Sequence, residues 1–89
     1  MQTVQNYDIR IQQRSSKKTI TSVQGIPATV DQKNLLKMFR KSFACNGSIV
    51  DDEKLGPVIQ LQGDHRQKIF DFLVEQKLSS KESIKIHGF

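Results

Sequence analysis

Cationic side chains are the most concentrated chemical feature of this sequence. The segment from Arg14 to Lys18 (RSSKK) carries three cations and two serines. Four more cations recur at spacings that place them on one face of a helix: Lys33, Lys37, Arg40 and Lys41. Lys and Arg bind nucleic acids by neutralising phosphates, so the two groups together predict contact with a phosphate backbone. Each group alone is more typical of a solvated surface.

An acidic segment follows these cations. Asp51, Asp52 and Glu53 are consecutive and are followed by Lys54, Leu55 and a Gly-Pro pair. Carboxylates can perform acid–base catalysis, but a run of carboxylates next to Gly and Pro is more typical of a solvated turn. We interpret this segment as an acidic loop and not as a catalytic site.

The remaining candidates for chemistry are two histidines and one cysteine. His65 and His87 do not stand at a spacing from Cys45 that would hold a metal ion. A thiol nucleophile with a histidine base is conceivable, yet a lone cysteine is far more often a small apolar residue. No glycine-rich loop precedes a helix in the manner of a nucleotide-binding motif. The sequence therefore predicts a protein that is not an enzyme and uses no cofactor or metal.

The composition is that of a small, basic domain. The chain has 89 residues, of which 36% are hydrophobic and 26% charged, and its net charge is +5. This length allows one core, so we assign 1–6 to a short flexible tail and 7–89 to a single domain.

The positive net charge favours a polyanionic partner, either nucleic acid or an anionic membrane surface. Because no apolar run approaches the ~20 residues that span a bilayer, we expect no membrane partner. A single cysteine fits a reducing compartment, and we predict a cytoplasmic protein.

Apolar periodicity predicts strands and helices in a fixed order. Five segments have the alternation or the β-branched composition of strands: 7–11, 19–23, 49–50, 58–61 and 84–87. Two segments have apolar residues at helical spacing: 35–43 and 69–73. The predicted order is β-β-α-β-β-α-β. It indicates an α/β fold of the two-layer α+β type, in which a sheet is covered on one side.

The connection between the first two strands is predicted to be a mobile loop of several residues. It lacks the Asn-Gly or Asp-Gly pair that is typical of a two-residue turn. In the second strand, Ile20 and Val23 break the strict alternation of apolar and polar residues. This break predicts a bulge or twist near Ser22.

Capping residues are predicted at both helices. Thr29 with Gln32, and Asp64 with Gln67, have the spacing of helix N-terminal capping boxes. The pair Asn46-Gly47 is expected to end the first helix.

Two cationic faces, on the hairpin and on the first helix, would then be available to a curved phosphate backbone. The aromatic signature of an RNA-recognition motif is absent, so phosphate and sugar contacts on folded RNA fit better than contacts to single-stranded bases.

Five segments of the chain resemble one known family. In sequence order they are IRIQQR, KTITSVQGIP, FACNGSIV, VIQLQGDHR and IKIHGF. They make the chain from Asn6 to Phe89 similar to the eukaryotic translation initiation factor 1 family, without a sizeable insertion. The resemblance implies a mixed sheet with two helices on one face. It also implies binding to the small ribosomal subunit near the P site, scanning, and start-codon fidelity through opposition to premature accommodation of initiator tRNA.

The resemblance assigns roles to four groups of residues. The family's basic hairpin loop, which faces small-subunit RNA, falls on Arg14, Ser15, Ser16, Lys17 and Lys18. A basic surface of the first helix falls on Lys33, Lys37, Arg40 and Lys41. A ribosome-facing turn and a glycine of the last strand fall on Gly63, Asp64, His65, Arg66 and Gly88. The loop near the initiator tRNA falls on Asp51, Asp52, Glu53, Lys54 and Leu55.

The implied partners are small-subunit RNA, nearby initiator tRNA and other initiation factors. Those factors are one resembling an OB-fold, the multisubunit factor and the GTPase-activating factor. We expect a monomer away from the ribosome.

Three features depart from the family pattern. Ser15-Ser16 stand where the family has Asn-Gly, a pair that readily adopts positive φ; His65 replaces a glutamine; and the short tail, Met1–Asn6, is not assumed to make the contacts of a longer one.

Two other functions are compatible with the sequence. Domains of this type also occur in factors for reinitiation and ribosome recycling, although a match to a single domain with nothing appended argues against that role. A basic adapter that binds an acidic protein would have a similar composition. The salt dependence of binding to small subunits, compared with candidate proteins, separates the RNA and adapter hypotheses.

Overall fold

Five strands and two helices follow one another in the predicted order. The computed structural model describes residues 7–27 and 29–88, and the predicted tail, residues 1–6, lies outside this part of the chain. The strands are β1 (Tyr7–Ser15), β2 (Lys18–Gln24), β3 (Gly47–Asp52), β4 (Gly56–Gln62) and β5 (Ile84–Ile86). The helices are α1 (Gln32–Phe43) and α2 (Arg66–Glu75), and a short 3-10 helix, Lys81–Ser83, precedes β5. The order β-β-α-β-β-α-β is confirmed.

The strands form one mixed sheet in the order β3-β4-β2-β1-β5. Neighbouring strands are antiparallel except for β1 and β5, which are parallel. Because residues two apart in a strand point to the same face, the alternating apolar residues form rows across the sheet. In one row, Ile9 faces Val23, Val23 faces Ile59, and Ile59 faces Ile49. This row is part of the apolar surface on which the helices pack.

Both helices pack on that face and complete one core. Leu35 and Phe39 of α1, and Ile69 and Leu73 of α2, are at most 2% exposed and lie in one cluster with strand residues. A spacing of four residues puts each pair on one side of its helix. The predicted two-layer arrangement, a mixed sheet with both helices on one face, is confirmed. In the described part of the chain, neither helix has the length and apolar character that crossing a membrane requires.

The opposite face of the sheet carries many polar side chains. Arg10 faces Ser22 across β1 and β2, and Gln12 faces Ile20. Ile20 in turn faces Gln62 of β4. Arg10, Gln12 and Gln62 are exposed, whereas Ile20 is half-buried. We call this side the open face. It extends to the turn between β1 and β2, which carries the cations predicted to bind RNA.

The connections between elements lie at opposite ends of the sheet. At one end, the Gly63 amide donates to the Thr19 carbonyl oxygen (2.8 Å), and the Gln62 amide donates to that of Asn46 (2.9 Å). These bonds bring together the β1–β2 turn, the α1–β3 connection and the β4–α2 turn. The β3–β4 turn lies at the other end, because β4 runs along the sheet between them. At ~3.3 Å per residue, β4 separates the two ends by about 20 Å.

The turn between β1 and β2 is shorter than predicted. Only Ser16 and Lys17 connect the strands, so the prediction of a loop of several residues is wrong. The predicted bulge near Ser22 is also wrong, since the register shift lies at Arg14 instead. An irregularity beside a tight turn increases the local twist of the strands. This twist allows a hairpin without Asn-Gly to close. The broken alternation in β2 has a different cause, because Ile20 is a half-buried isoleucine on the open face.

The ends of α1 also differ from the prediction. Asp31, not Thr29, is the N-terminal cap, and its Oδ1 accepts from the Asn34 amide (3.2 Å). A cap must directly precede the first helical residue, and Thr29 lies too far upstream. At the other end, the left-handed residue that ends the helix is Ala44, with a φ of 50°, and not Asn46-Gly47.

Candidate nucleic-acid interface

The hairpin tip presents its cations to solvent. Arg14, Lys17 and Lys18 are exposed, and within the residues that the structure describes none of them forms an ion pair. Neither Ser16 nor Lys17 has a positive φ, so this turn does not need the glycine of the family pattern. The exposed Ser15 hydroxyl accepts a long hydrogen bond (3.4 Å) from the Lys17 amide. The departure from the family pattern therefore introduces no backbone strain at the tip.

A buried threonine holds the turn between β4 and α2 against β2. The Thr21 hydroxyl donates to the Gly63 carbonyl oxygen (2.6 Å) and accepts from the His65 amide (3.0 Å). Thr21 is 0% exposed, and Gly63 has a φ of 101°, a conformation that favours glycine. Thr21 is not among the predicted site residues. The sequence feature that could have identified Thr21 is its hydroxyl on the core-facing side of a strand, because a buried hydroxyl must find a hydrogen-bond partner.

The His65 ring packs within the same turn. It lies nearly parallel to the Phe43 ring, with 5.8 Å between the centroids, and its Nε2 is 2.8 Å from the Gln62 carbonyl oxygen. A carbonyl oxygen only accepts, so Nε2 is the donor and a neutral ring would carry its proton there. Nδ1 is buried without a hydrogen-bond partner among the described atoms. The histidine in place of the family's glutamine thus adds a packing contact between the turn and α1.

Arg66 is held by two neighbouring segments. Its Nε and Nη2 donate to the two carboxylate oxygens of Asp64 (3.0 and 2.9 Å), and its Nη1 donates to the His87 carbonyl oxygen (3.5 Å). The side-chain hydrogen bond from Arg66 holds the pKa of Asp64 below its ordinary value. The predicted cap at Asp64 is wrong in position: His65 occupies the cap position without a side-chain capping bond. The Asp64 carboxylate binds the Arg66 side chain, and its Oδ1 also accepts from the Arg66 backbone amide at the start of the helix (3.3 Å). Gly88 follows His87 and is exposed.

The cations of α1 divide into two groups. Lys37, Arg40 and Lys41 line a hollow of about 370 Å³ beside Ala44–Asn46, at the same end of the sheet as the hairpin tip. Lys33 lies near the start of the helix, in a hollow that it shares with Asp51. At 1.5 Å per residue, Lys33 and Lys41 are about 12 Å apart along the axis. The structure therefore brings three of the four predicted cations to the hairpin-tip end and places the fourth beside the acidic loop.

We call the cations at the hairpin-tip end the basic end. Its members are Arg14, Lys17, Lys18, Lys37, Arg40, Lys41 and Arg66. Cys45 lies next to the α1 group but is half-buried and packs against the core. Burial raises the pKa of its thiol, and the positive charges of Lys68 and Arg40 act in the opposite direction. This environment agrees with the predicted role of Cys45 as a small apolar residue.

The segment Asp51–Leu55, predicted to be a loop, lies at the other end of the sheet. The prediction is wrong for two of its residues, because Asp51 and Asp52 are paired with β4 at the end of β3 and only residues 53–55 connect the two strands. We keep the name acidic loop for the whole segment. Asp51, Asp52, Glu53, Lys54 and Leu55 are all exposed. The Asp52 Oδ1 accepts from the amides of Leu55 (3.0 Å) and Lys54 (2.8 Å), and these two bonds lower the pKa of Asp52. Asp52 therefore shapes the backbone of the loop. Leu55 is 50% exposed and does not anchor the loop to the core.

Comparison with known proteins identifies the family to which this chain belongs. Residues 3–79 match the family model described as "Translation initiation factor SUI1". "Protein translation factor sui1" of Schizosaccharomyces pombe is 56% identical over 88 residues, which are 99% of this chain and 81% of that protein. "Eukaryotic translation initiation factor eIF-1" of Saccharomyces cerevisiae is 54% identical over 81 residues, which are 91% of this chain and 75% of that protein.

One solved structure shows the same fold at low sequence identity. The C-terminal domain of human eIF2D superposes with a TM-score of 0.80 and 20% identity, covering 93% of this chain and 43% of that chain. At this identity the likeness concerns the fold alone. The family match and the curated relatives carry the assignment, and they confirm the resemblance seen in the sequence. The chain belongs to the SUI1 family and is a translation initiation factor.

Proposed function

We propose that this initiation factor binds the small ribosomal subunit near the P site through its basic end and opposes premature accommodation of initiator tRNA with its acidic loop. In this way it promotes scanning and enforces start-codon fidelity. The observation that carries the proposal is the separation of charge along one sheet. Six exposed cations without a carboxylate partner among the described residues lie at one end, and the exposed carboxylates Asp51, Asp52 and Glu53 lie at the other.

The basic end has the properties of an anchor for RNA. Its cations lie in or beside three connections that backbone hydrogen bonds hold together, so the backbone positions from which they project are fixed. Lys and Arg that neutralise phosphates release condensed counterions, which drives binding at moderate salt. Arg66 is already oriented by Asp64 and His87, and pre-orientation reduces the entropy that binding would cost.

The acidic loop has the properties of an electrostatic barrier. Once the basic end is anchored, β4 holds the loop about 20 Å away along the sheet. Phosphates of an approaching tRNA would then meet several exposed carboxylates. Two unit charges ~4 Å apart repel by about 1 kcal/mol in water, and by more where solvent is partly excluded. A few such repulsions make accommodation depend on the extra stability of correct codon pairing.

The proposal includes the partners and setting that membership in the family suggests. The chain acts by binding and not by catalysis, needs no cofactor or metal, and works in the cytoplasm as a monomer away from the ribosome. Its partners are the RNA of the small subunit, the initiator tRNA close by, and other initiation factors. These factors are the OB-fold factor, the multisubunit factor and the GTPase-activating factor.

Charge reversal at the hairpin tip tests the proposal. We expect Lys17→Glu with Lys18→Glu to weaken binding to purified small subunits without unfolding the domain, because exposed substitutions seldom change stability by more than ~0.5 kcal/mol. The control is Lys81→Glu with Lys85→Glu, an equal charge change on exposed residues elsewhere. Equal binding by the two variants would contradict the proposal. If the hairpin-tip variant keeps its binding to small subunits but loses affinity for an acidic protein that the control still binds, the adapter function is favoured instead.

A further inference from the structure

A cleft separates the hairpin tip from the turn between β4 and α2. Its volume is about 370 Å³, and it is lined by Arg14, Lys17, Lys18, Thr19, Ile20, Gln62 and Gly63. Binding sites for small molecules span about 300–1,000 Å³. The cleft is therefore large enough for one nucleotide and too small for an intact base pair with its two backbones.

One wall of the cleft is cationic. Arg14, Lys17 and Lys18 are exposed, and the described chain provides no carboxylate that pairs with them. Three positive side chains around one small space attract phosphate groups. In an RNA chain, the phosphodiesters on the two sides of a nucleotide each carry a negative charge and non-bridging oxygens that accept charge-assisted hydrogen bonds. This wall thus suits the phosphate of a nucleotide.

The other wall is suited to a base. Ile20 and Gln62 are direct partners across β2 and β4, so their side chains lie side by side on the open face. Ile20 is half-buried and offers an apolar surface. The exposed side-chain amide of Gln62 makes no hydrogen bond within residues 7–27 and 29–88, and a side-chain amide can donate and accept at the edge of a base.

The floor of the cleft is rigid. The Gly63 amide donates to the Thr19 carbonyl oxygen (2.8 Å), and the Gly63 carbonyl oxygen accepts from the buried Thr21 hydroxyl (2.6 Å). The Gln62 backbone is bonded to Asn46 through its amide and to His65 through its carbonyl oxygen. The backbone on both sides of the cleft, in β2 and at the end of β4, is thus held in place before a ligand binds. This lowers the entropy cost of binding.

We propose that this cleft binds one unpaired nucleotide of RNA. Its phosphate lies among the three cations, and its base lies against Ile20 within reach of the Gln62 amide. This inference rests on the proposed RNA-binding function and adds to it, because it names an unstacked nucleotide where the sequence alone favours phosphate and sugar contacts. An extruded base needs a surface to lie on, and here an isoleucine and a glutamine provide it in place of an aromatic side chain.

Titration followed by amide NMR tests the cleft directly. The probes are the four nucleoside 5′-monophosphates, with inorganic phosphate, uncharged nucleosides and a phosphoserine peptide for comparison. We expect at least one nucleotide to shift the amide signals of Thr19, Ile20 and Gly63 in a saturable way. Its affinity should exceed that of inorganic phosphate by at least about fivefold, since contact with a base adds to the phosphate interaction. Equal affinity for phosphate, or for the phosphoserine peptide, would overturn the proposal.

Two matched variants locate the effect. Gln62→Glu should remove the preference for nucleotide over phosphate, because a carboxylate replaces the side-chain amide that contacts the base and can no longer donate to it. Ser48→Glu adds the same charge to an exposed residue of the open face outside the cleft, and it should keep the preference. If both variants behave like the unchanged chain, the cleft is not the site. If the unchanged chain binds small subunits but shows no nucleotide preference, the cleft proposal fails and the proposed function stands.

Discussion

The Thr21 hydroxyl lies 2.6 Å from the Gly63 carbonyl oxygen, to which it donates, although 42 residues separate the two in sequence. The same hydroxyl accepts from the His65 amide. One buried side chain of β2 therefore fixes the residues on both sides of Asp64, in the turn that leads into α2 and Arg66. This contact couples the core of the domain to the surface that we propose binds RNA.

Removing the Thr21 hydroxyl should affect stability and binding together. We expect Thr21→Val to lower the free energy of unfolding by about 1–3 kcal/mol, because the Gly63 carbonyl and the His65 amide lose their partner. We also expect weaker binding to small subunits at conditions where the variant is fully folded. Thr21→Ser keeps the hydroxyl and should retain most of both properties. Urea unfolding and subunit binding measure the two effects, and full binding by a folded Thr21→Val variant would show that the turn needs no such support.

Salt should weaken subunit binding steeply. Six cations of the basic end have no carboxylate partner among the described residues: Arg14, Lys17, Lys18, Lys37, Arg40 and Lys41. If all six meet phosphates, affinity should fall roughly a thousandfold between 50 and 200 mM salt, taking the slope known for duplex DNA. A filter-binding or fluorescence titration at several salt concentrations gives the slope. A flat response would exclude a phosphate-based interface.

Charge reversal in the acidic loop should relax start-codon selection. Asp52 accepts two backbone hydrogen bonds, so replacing it would also change the loop backbone. Glu53 is exposed and tests charge alone, and we expect Glu53→Arg to raise initiation at near-cognate codons relative to AUG. Glu82→Arg is the control, an exposed acid outside the loop. The readout is the near-cognate-to-AUG reporter ratio at equal factor abundance. A ratio that is unchanged or lower for Glu53→Arg argues against an electrostatic barrier.

The pair of Asp64 and Arg66 should make stability sensitive to acid. The side-chain hydrogen bond from Arg66 lowers the pKa of Asp64 in the folded protein from its ordinary 3.8, so the unfolded chain takes up this proton at a higher pH than the folded one. The stability that Asp64 contributes is present above pH ~4 and is lost as the pH falls through the lowered folded-state value. Asp64→Asn should therefore show a shallower loss of unfolding free energy below pH ~4 than Glu75→Gln. Equal slopes for the two variants would contradict this.

Among the glycines at positions 47, 56, 63 and 88, Gly47 should be the one that least tolerates a side chain for lack of space. A Cβ atom there would lie 2.6 Å from Leu61 Cδ2 and 2.7 Å from the Gln60 carbonyl oxygen. We expect Gly47→Ala to cost about 1–3 kcal/mol through overpacking. Gly88→Ala is the matched control, since a Cβ at Gly88 meets nothing within 4 Å. Thermal or urea unfolding compares the two, and equal stability would show that β3 shifts without cost.

Local periodicity determined the elements and the faces that they bury. Tyr7, Ile9 and Ile11 alternate because every second residue of a strand faces the core, and Leu35 and Phe39 recur because four residues make about one helical turn. Such patterns depend on near neighbours in the chain. The order of elements and the two-layer fold could therefore be predicted, as could the residue groups at the hairpin tip, on α1 and in the acidic loop.

Only the tertiary structure decided how these groups are arranged. The placement of Lys33 beside the acidic loop and of Lys37 at the basic end, the bond from Thr21 to Gly63 and the pairing of Ile20 with Gln62 depend on how the elements pack together. Contacts between distant segments are selected by the packing of the whole core, and no short window of sequence contains them. The tight turn at Ser16 and Lys17 was missed for a related reason. A register shift at Arg14, which only the paired strand reveals, lets the hairpin close without glycine.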